Sequence, residues 1–184
     1  MNILITLDEN YFPQLRVLLT SLRLNDPGEH FDIYLLYSDL PEHMLQAVER
    51  WCRAAGYEFH PIRMDGNLFG SAPVSSRYPA EMYYRLLAPR LLPEELNRII
   101  YLDPDILVIN PLRPVWETNM SGWLFGAAAH TGKTELANDV NRLRLGVEHD
   151  YYNSGVLLMD LELGREEIIP EEIFRYVEEH RMEL

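Results

Sequence analysis

Apolar residues along this chain fall in two spacings. Short runs, apolar at consecutive positions, alternate with longer stretches in which apolar residues recur three and four apart. The runs are Asn2–Leu7 (NILITL), Phe31–Tyr37 (FDIYLLY), Tyr57–Ile62, Arg98–Leu102 (RIIYL), Trp123–Ala129 (WLFGAAA) and Tyr151–Leu161 (YYNSGVLLMDL). Their length and bounding residues predict strands, and the Ile99–Leu102 run, apolar at consecutive positions, suggests burial on both faces as in a parallel sheet. WLFGAAA reads as another buried strand. The first helix is predicted from Pro13, with Asn10 or Tyr11 near its cap, through Leu24; Leu15, Leu18, Leu19 and Leu22 share its inner face. Asn25-Asp26-Pro27-Gly28 stops it. A second helix, Pro41–Ala55, turns Leu45, Val48, Trp51, Cys52 and Ala55 inward, and Gly56 ends it. Ala80–Leu87 reads as a short helix, Pro93–Leu96 as a helical turn, Pro114–Glu117 as a short helix and Lys133–Arg144 as loop and helix. Pro170–Leu184 is amphipathic, with Ile173, Phe174 and Val177 inward. Strand–helix–strand–helix–strand order implies right-handed crossovers and a mostly parallel sheet flanked by helices, an α/β fold.

One stretch organises the rest. In Arg98–Leu112, RIIYLDPDILVINPL, a strand stops at Asp103 and Asp105 and is predicted to resume over Ile106–Ile109. Pro104 removes a backbone donor and ends the ladder between the two carboxylates. They should lie just past the carboxyl end of a central strand, the edge at which open α/β sheets bind ligands. Asp8 and Asn10, after the first strand, should share that edge. Two carboxylates two residues apart suit a hard divalent cation, Mg²⁺ or Mn²⁺, which bridges to phosphate oxygens. Asp-Pro-Asp is equally at home as a polar turn.

Length and charge narrow the picture. The chain has 184 residues, enough for a single domain with a sizeable core, and a net charge of −13. That charge, without Lys/Arg clusters, argues against a nucleic-acid partner. It also means that a phosphorylated ligand needs a metal to screen repulsion. The one cysteine, Cys52, excludes an intrachain disulfide and reads as core. No run approaches the ~20 apolar residues of a membrane span, and no secretory signal is seen at the start; a cytoplasmic protein is expected.

Other chemistries lack their motifs. Gly132-Lys133-Thr134 has no glycine at the position a phosphate loop requires, since residue 127 is Ala. No G-x-G-x-x-G follows the first strand, no zinc spacing joins the six histidines and Cys52, and no serine sits in a G-x-S-x-G elbow. Asp65–Pro79, rich in Gly, Ser and Pro, is a loop long enough to act as a lid.

Four blocks in order, LDENYFPQLRVLLTSL, AEMYYRLLAPRLLP, RIIYLDPDILVINPL and YYNSGVLLMDL, resemble glycosyltransferase family 8. That family contains lipopolysaccharide galactosyl- and glucosyltransferases and is related to glycogenin. The resemblance implies a GT-A nucleotide-diphosphosugar transferase fold. It implies Mn²⁺-dependent transfer of a hexose from a UDP-sugar to a saccharide acceptor, with retention of configuration. Asp103 and Asp105 match the metal-binding D-x-D, with Mn²⁺ or Mg²⁺ as the cation. Asp8, Asn10 and Tyr11 match the uridine site. Arg85 matches an arginine near the donor sugar and diphosphate, and Asn153 a residue facing the sugar. His130 stands where several relatives carry Asp against the sugar, a departure that leaves the sugar's identity open. Taken singly, each residue also has a plain structural role: Asp8 and Asn10 as helix caps, Tyr11 as a packing staple, Arg85 snorkelling to solvent, Asn153 bonding loop backbone.

Family members continue with a D-Q-D-like block and an H-x-x-G-x-x-K-P-W-like motif, which supply residues near the reacting carbon, a third metal ligand and a diphosphate lysine. Neither occurs before Leu184, so the chain reads as one GT-A domain truncated at its C-terminus, with weak Mn²⁺ binding and little transfer activity. The full-length protein is expected in the cytoplasm, with a peripheral place at the inner membrane as an open alternative. A shortened chain can also associate with its copies through an uncovered apolar face. Two alternatives stand beside the enzyme: a non-catalytic nucleotide-sugar-binding module, and a nucleotidyltransferase of similar fold. The latter is disfavoured because no Gly-rich cationic loop follows the first strand.

Overall fold

The computed structural model describes residues 1–70, 72–74, 79–129, 139–140, 142–144, 146 and 148–181. Six strands form one sheet: β1 (Asn2–Thr6), β2 (Asp32–Tyr37), β3 (Glu58–Arg63), β4 (Arg98–Leu102), β5 (Phe125–Ala129) and β6 (Tyr152–Asp160), in the order β3-β2-β1-β4-β6-β5. The pairs β1–β2, β2–β3 and β1–β4 are parallel. β6 runs antiparallel to both β4 and β5, so the sheet is mixed but mostly parallel. Helices α1 (Phe12–Asn25) and α2 (Glu42–Ala55) make the first two crossovers. Ala80–Leu87 is a 3-10 helix leading into the short α3 (Ala88–Leu91); α4 (Arg113–Trp116), α5 (Leu161–Glu167) and α6 (Pro170–Glu179) follow.

The consecutive apolar runs are explained by two cores, one on each face of the sheet. Ile3, Ile5, Ile33, Leu35, Ile100 and Leu102 pack against Leu15, Leu18, Leu22, Val48 and Cys52 of α1 and α2. Leu4, Tyr34, Leu36, Ile99, Tyr101 and Met159 pack against Tyr83, Tyr84, Leu87, Leu161 and Val177 on the other side. Side chains two apart on a strand share a face, so Thr6 follows Leu4, and Asp103 follows Tyr101, towards the 3-10 helix. Gly56 closes α2 in the left-handed conformation, φ 78°, which glycine adopts without a Cβ penalty.

Two expectations are corrected. Residues 106–109 are not a strand. Leu107 and Ile109 are exposed and Val108 is buried, an alternation anchored by helix side chains instead of a sheet neighbour. The Val108 amide donates to Ser21 Oγ at 3.0 Å, and Asn25 Nδ2 donates to the Val108 carbonyl at 2.9 Å. The Leu112 amide donates to Asp26 Oδ2 at 3.0 Å. The polar end of α1 thus satisfies backbone groups that a sheet would otherwise pair. Nor is the WLFGAAA strand buried. β5 is an edge strand of the sheet, and Phe125 and the preceding Trp123 are exposed. Together with Tyr152, Met120, Leu157 and Met159 they line an apolar groove of about 600 Å³. Among the described residues, no helix is long and apolar enough to cross a membrane.

Candidate active site

β1 leads to β2 and β3 on one side, and the chain then returns to place β4 on β1's other side. That reversal opens a crevice at the strands' carboxyl ends, the topological switch point of an open α/β sheet. The crevice is a cavity of about 240 Å³. From the end of β1 come Thr6, Asp8 and Tyr11; from the end of β4 come Tyr101, Asp103, Pro104 and Asp105. The 3-10 helix contributes Glu81, Met82 and Arg85, and β6 contributes Ser154.

The Asp-Pro-Asp segment is a tight turn. The Ile106 amide donates to the Asp103 carbonyl at 3.1 Å, with Pro104 at the turn position its fixed φ suits. On the other side the Asp103 amide donates to the Gly155 carbonyl at 2.8 Å, extending the β4–β6 ladder by one bond. Both aspartates therefore face one cavity. The polar turn read from sequence and the candidate ligand-bearing turn are one structure.

Arg85 does not snorkel. Its side chain is only 12% exposed and its Nη1 donates to Asp103 Oδ1 at 2.9 Å. The same nitrogen reaches the Tyr101 hydroxyl at 3.2 Å and the Ser154 carbonyl at 3.3 Å. The guanidinium lies 5.1 Å from the centre of the Tyr101 ring, within cation–π range. Tyr101 hydrogen-bonds Asp103 Oδ1 and stands 3.2 Å from Thr6 Oγ1. Burial, above all, pushes the Tyr101 phenol well above its ordinary value, so it is a neutral donor at physiological pH.

Asp8 caps the 3-10 turn Glu9–Tyr11, accepting from the Tyr11 amide at 3.2 Å and from Asn10 Nδ2 at 2.7 Å. Asn10 is exposed and reaches the site through Asp8. A carboxylate has about four acceptor positions, so capping leaves Asp8 able to accept from a ligand in the cavity. Asn153 turns its Oδ1 to the Gly155 amide at 2.8 Å, the local backbone bond open to it from sequence. His130 lies outside the described residues.

Among the described residues, four carboxylates (Asp8, Glu81, Asp103, Asp105) and one guanidinium (Arg85) line the cavity. Such a site repels a diphosphate unless a cation lies between them. Its oxygen donors suit Mg²⁺ or Mn²⁺. Gly155 preserves the space: a Cβ there would stand 2.7 Å from Asp103 Oδ2. Among the described residues no group of three or more His, Cys, Asp or Glu is placed to hold a metal ion, and Asp103 and Asp105 are the two carboxylates at the turn that could contribute to one. Thr6, Tyr101, Gly155 and Ser154 did not stand out in sequence. Tyr101 was legible from strand periodicity, two residues before Asp103 on the same face.

Comparison with known proteins bears on the fold and the family. The galactosyltransferase LgtC, solved in complex with donor and acceptor sugar analogs, superposes with a TM-score of 0.85 at 24% identity, covering 99% of this chain and 65% of that one. The glycosyltransferase GlyE of Streptococcus pneumoniae matches with a TM-score of 0.70 at 19% identity, over 100% of this chain and 40% of its own. The fold is thus the GT-A arrangement. General stress protein A of Bacillus subtilis is 26% identical over 182 residues, 98% of this chain and 63% of its own length. A lipopolysaccharide 1,2-glucosyltransferase of Escherichia coli is 24% identical over 88% of this chain and 48% of its own. The chain thus spans about half to two thirds of the length of these curated relatives. Residues 2–183 match the model of glycosyl transferase family 8, and the chain belongs to that family.

Proposed function

We propose that this chain forms the donor-binding part of a retaining glycosyltransferase that moves a hexose from a UDP-sugar to a saccharide acceptor, of the lipopolysaccharide type in the first instance. The observation that carries the reading is the convergence of Asp103, Asp105, Arg85, Asp8 and Tyr11 on one cavity at the switch point. Relatives named for glucosyl and galacturonosyl transfer support a hexose-class donor.

In this reading Asp103 and Asp105 hold Mn²⁺ or Mg²⁺, which supplies Lewis-acid stabilisation of the leaving diphosphate when bound. Arg85 anchors the diphosphate and sugar by charge-assisted hydrogen bonds, since its described bonds all run from Nη1 and leave Nε and Nη2 to donate. Asp8 accepts from the uracil ring, Tyr11 stacks on it, and Asn10 steadies Asp8. Asn153 and His130 are assigned to the sugar's surroundings. The protein's part is to orient the donor and to place positive charge where the leaving group becomes negative.

Titration of UDP and UDP-hexoses, with and without Mn²⁺, tests this on the wild type and on Asp103→Asn/Asp105→Asn. Metal-dependent binding that disappears in the double variant is expected. Binding indifferent to both would remove the D-x-D role and leave only the fold. The two-carboxylate metal set also favours donor binding over turnover by this span: Mn²⁺ is expected to bind weakly and sugar transfer to be slight. Robust transfer by residues 1–184 would overturn that expectation.

A further inference from the structure

We infer that Tyr101 is a positioning residue of the donor site: its buried hydroxyl holds the Asp103 carboxylate so that Oδ1 is committed to the protein and Oδ2 is the oxygen left for a cation. This rests on the functional reading above. The Tyr101 side chain is 1% exposed, yet its hydroxyl meets three polar groups: Asp103 Oδ1, Arg85 Nη1 at 3.2 Å and Thr6 Oγ1 at 3.2 Å. A phenol has one proton and two lone pairs. Asp103 accepts only and Arg85 donates only, so the Tyr101 proton goes to Asp103. The lone pairs then receive Arg85 and the Thr6 hydroxyl, which fixes Thr6 as a donor.

The consequence falls on Asp103. Its Oδ1 takes two strong donors, Tyr101 and Arg85 at 2.9 Å, while the described residues place no hydrogen bond on Oδ2. The side chain of Asp103 is 34% exposed, so rotation about χ2 would exchange its oxygens if nothing held it. The β4 backbone places Tyr101 on the same face two residues earlier, where a rigid ring spans the distance from strand to carboxylate. Partners that orient a metal-binding carboxylate typically alter metal affinity by about 10- to 100-fold when removed.

The test measures Mn²⁺ binding by electron paramagnetic resonance, in the presence of UDP, on the full chain. It compares wild type, Tyr101→Phe, Thr6→Val and Asp103→Asn/Asp105→Asn, with thermal melting alongside. Tyr101→Phe is expected to weaken Mn²⁺ by at least about 10-fold and to change the bound-ion spectrum. Thr6→Val, which leaves the ring and removes one partner of its hydroxyl, is expected to weaken it by a smaller factor. A purely structural tyrosine would lower the melting temperature and leave the Mn²⁺ affinity and spectrum of the folded fraction unchanged, and that result overturns the inference. If Tyr101→Phe does not fold, Thr6→Val decides, and an affinity within about twofold of wild type refutes the proposal. Wild type that binds no Mn²⁺ refutes the functional reading and this inference together. Wild-type binding that is lost in the double aspartate variant but kept in Tyr101→Phe refutes this inference alone.

Discussion

Gly155 shows how much a single atom decides in this crevice. It is buried beside the turn of Asp103, its carbonyl takes the Asp103 amide, and a Cβ would stand 2.7 Å from Asp103 Oδ2 and 3.1 Å from Asn153 Oδ1. Contacts that close cannot be relieved by a small shift, because Asp103 is held on its other side by Arg85 and Tyr101. Gly155→Ala should therefore displace the carboxylate while β6 stays paired. Overpacking of this kind costs about 1–3 kcal/mol. The expected outcome is a chain that still melts cooperatively, a few degrees lower, and has lost metal-dependent UDP binding. Unchanged binding would show that the carboxylate can move without consequence. Arg85 makes a related point. Alone in an apolar stretch it reads as a snorkelling side chain, and only the neighbouring ends of β4 and β6 show it to be an ion-pair partner of Asp103.

At the scale of elements, the segment after β4 is the clearest departure from pattern. ILVI has the composition of a strand, but no strand of the described sheet lies beside it; the Val108 amide and carbonyl are bonded by Ser21 and Asn25, and Leu112, just beyond, by Asp26. Ser21 also donates to the Leu18 carbonyl at 2.8 Å, so one buried hydroxyl joins α1 to the segment. Ser21→Ala leaves the buried Val108 amide without its partner. That should destabilise the chain by about 1–3 kcal/mol, measured as a lower urea midpoint. Loss of less than a few tenths would mean that water reaches the amide. β6 teaches the reverse lesson. YYNSGVLLMDL is legible as a strand, but its antiparallel direction is not, because direction depends on where the preceding connection leaves the chain. Direction matters here: running antiparallel brings the start of β6, with Ser154 and Gly155, to the end of β4.

For the molecule as a whole, two opposed cores and a strongly acidic surface set the response to pH. Burial pushes the Cys52 thiol up to about 12 from an ordinary value of 9.0. Burial, then nearby Asp26, raises Tyr57 to about 12 from 10.0. The folded chain keeps protons that the unfolded chain gives up, so their contribution to stability is complete below pH 9 and is lost as pH rises from there towards 12. The urea midpoint should be level from pH 7 to 9 and fall by pH 11. A midpoint that rose over that interval would contradict the assignment. For the same reason Cys52, 1% exposed, should resist thiol reagents at pH 8 until the chain unfolds. The net charge of −13 acts on a different property. Under the proposed function it makes diphosphate binding depend on a bound cation, and salt is expected to weaken that dependence little within the cavity.

The α/β class, the leucine face of α1, the sheet's parallel half and the turn that carries Asp103 and Asp105 are all legible in the order of the residues. Each of these depends on local periodicity, on proline and glycine, or on a short polar break in an apolar run, all of which act between near neighbours in the chain. The four-block resemblance added the family. Tertiary structure alone decided that β1 and β4 end side by side, that Arg85 and Tyr101 share one oxygen of Asp103, and that Gly155 rather than a larger residue stands behind the other. These contacts join residues 16 to 95 positions apart as well as neighbours. No local spacing specifies them, because they follow from strand order and from which of two sheet faces each side chain meets.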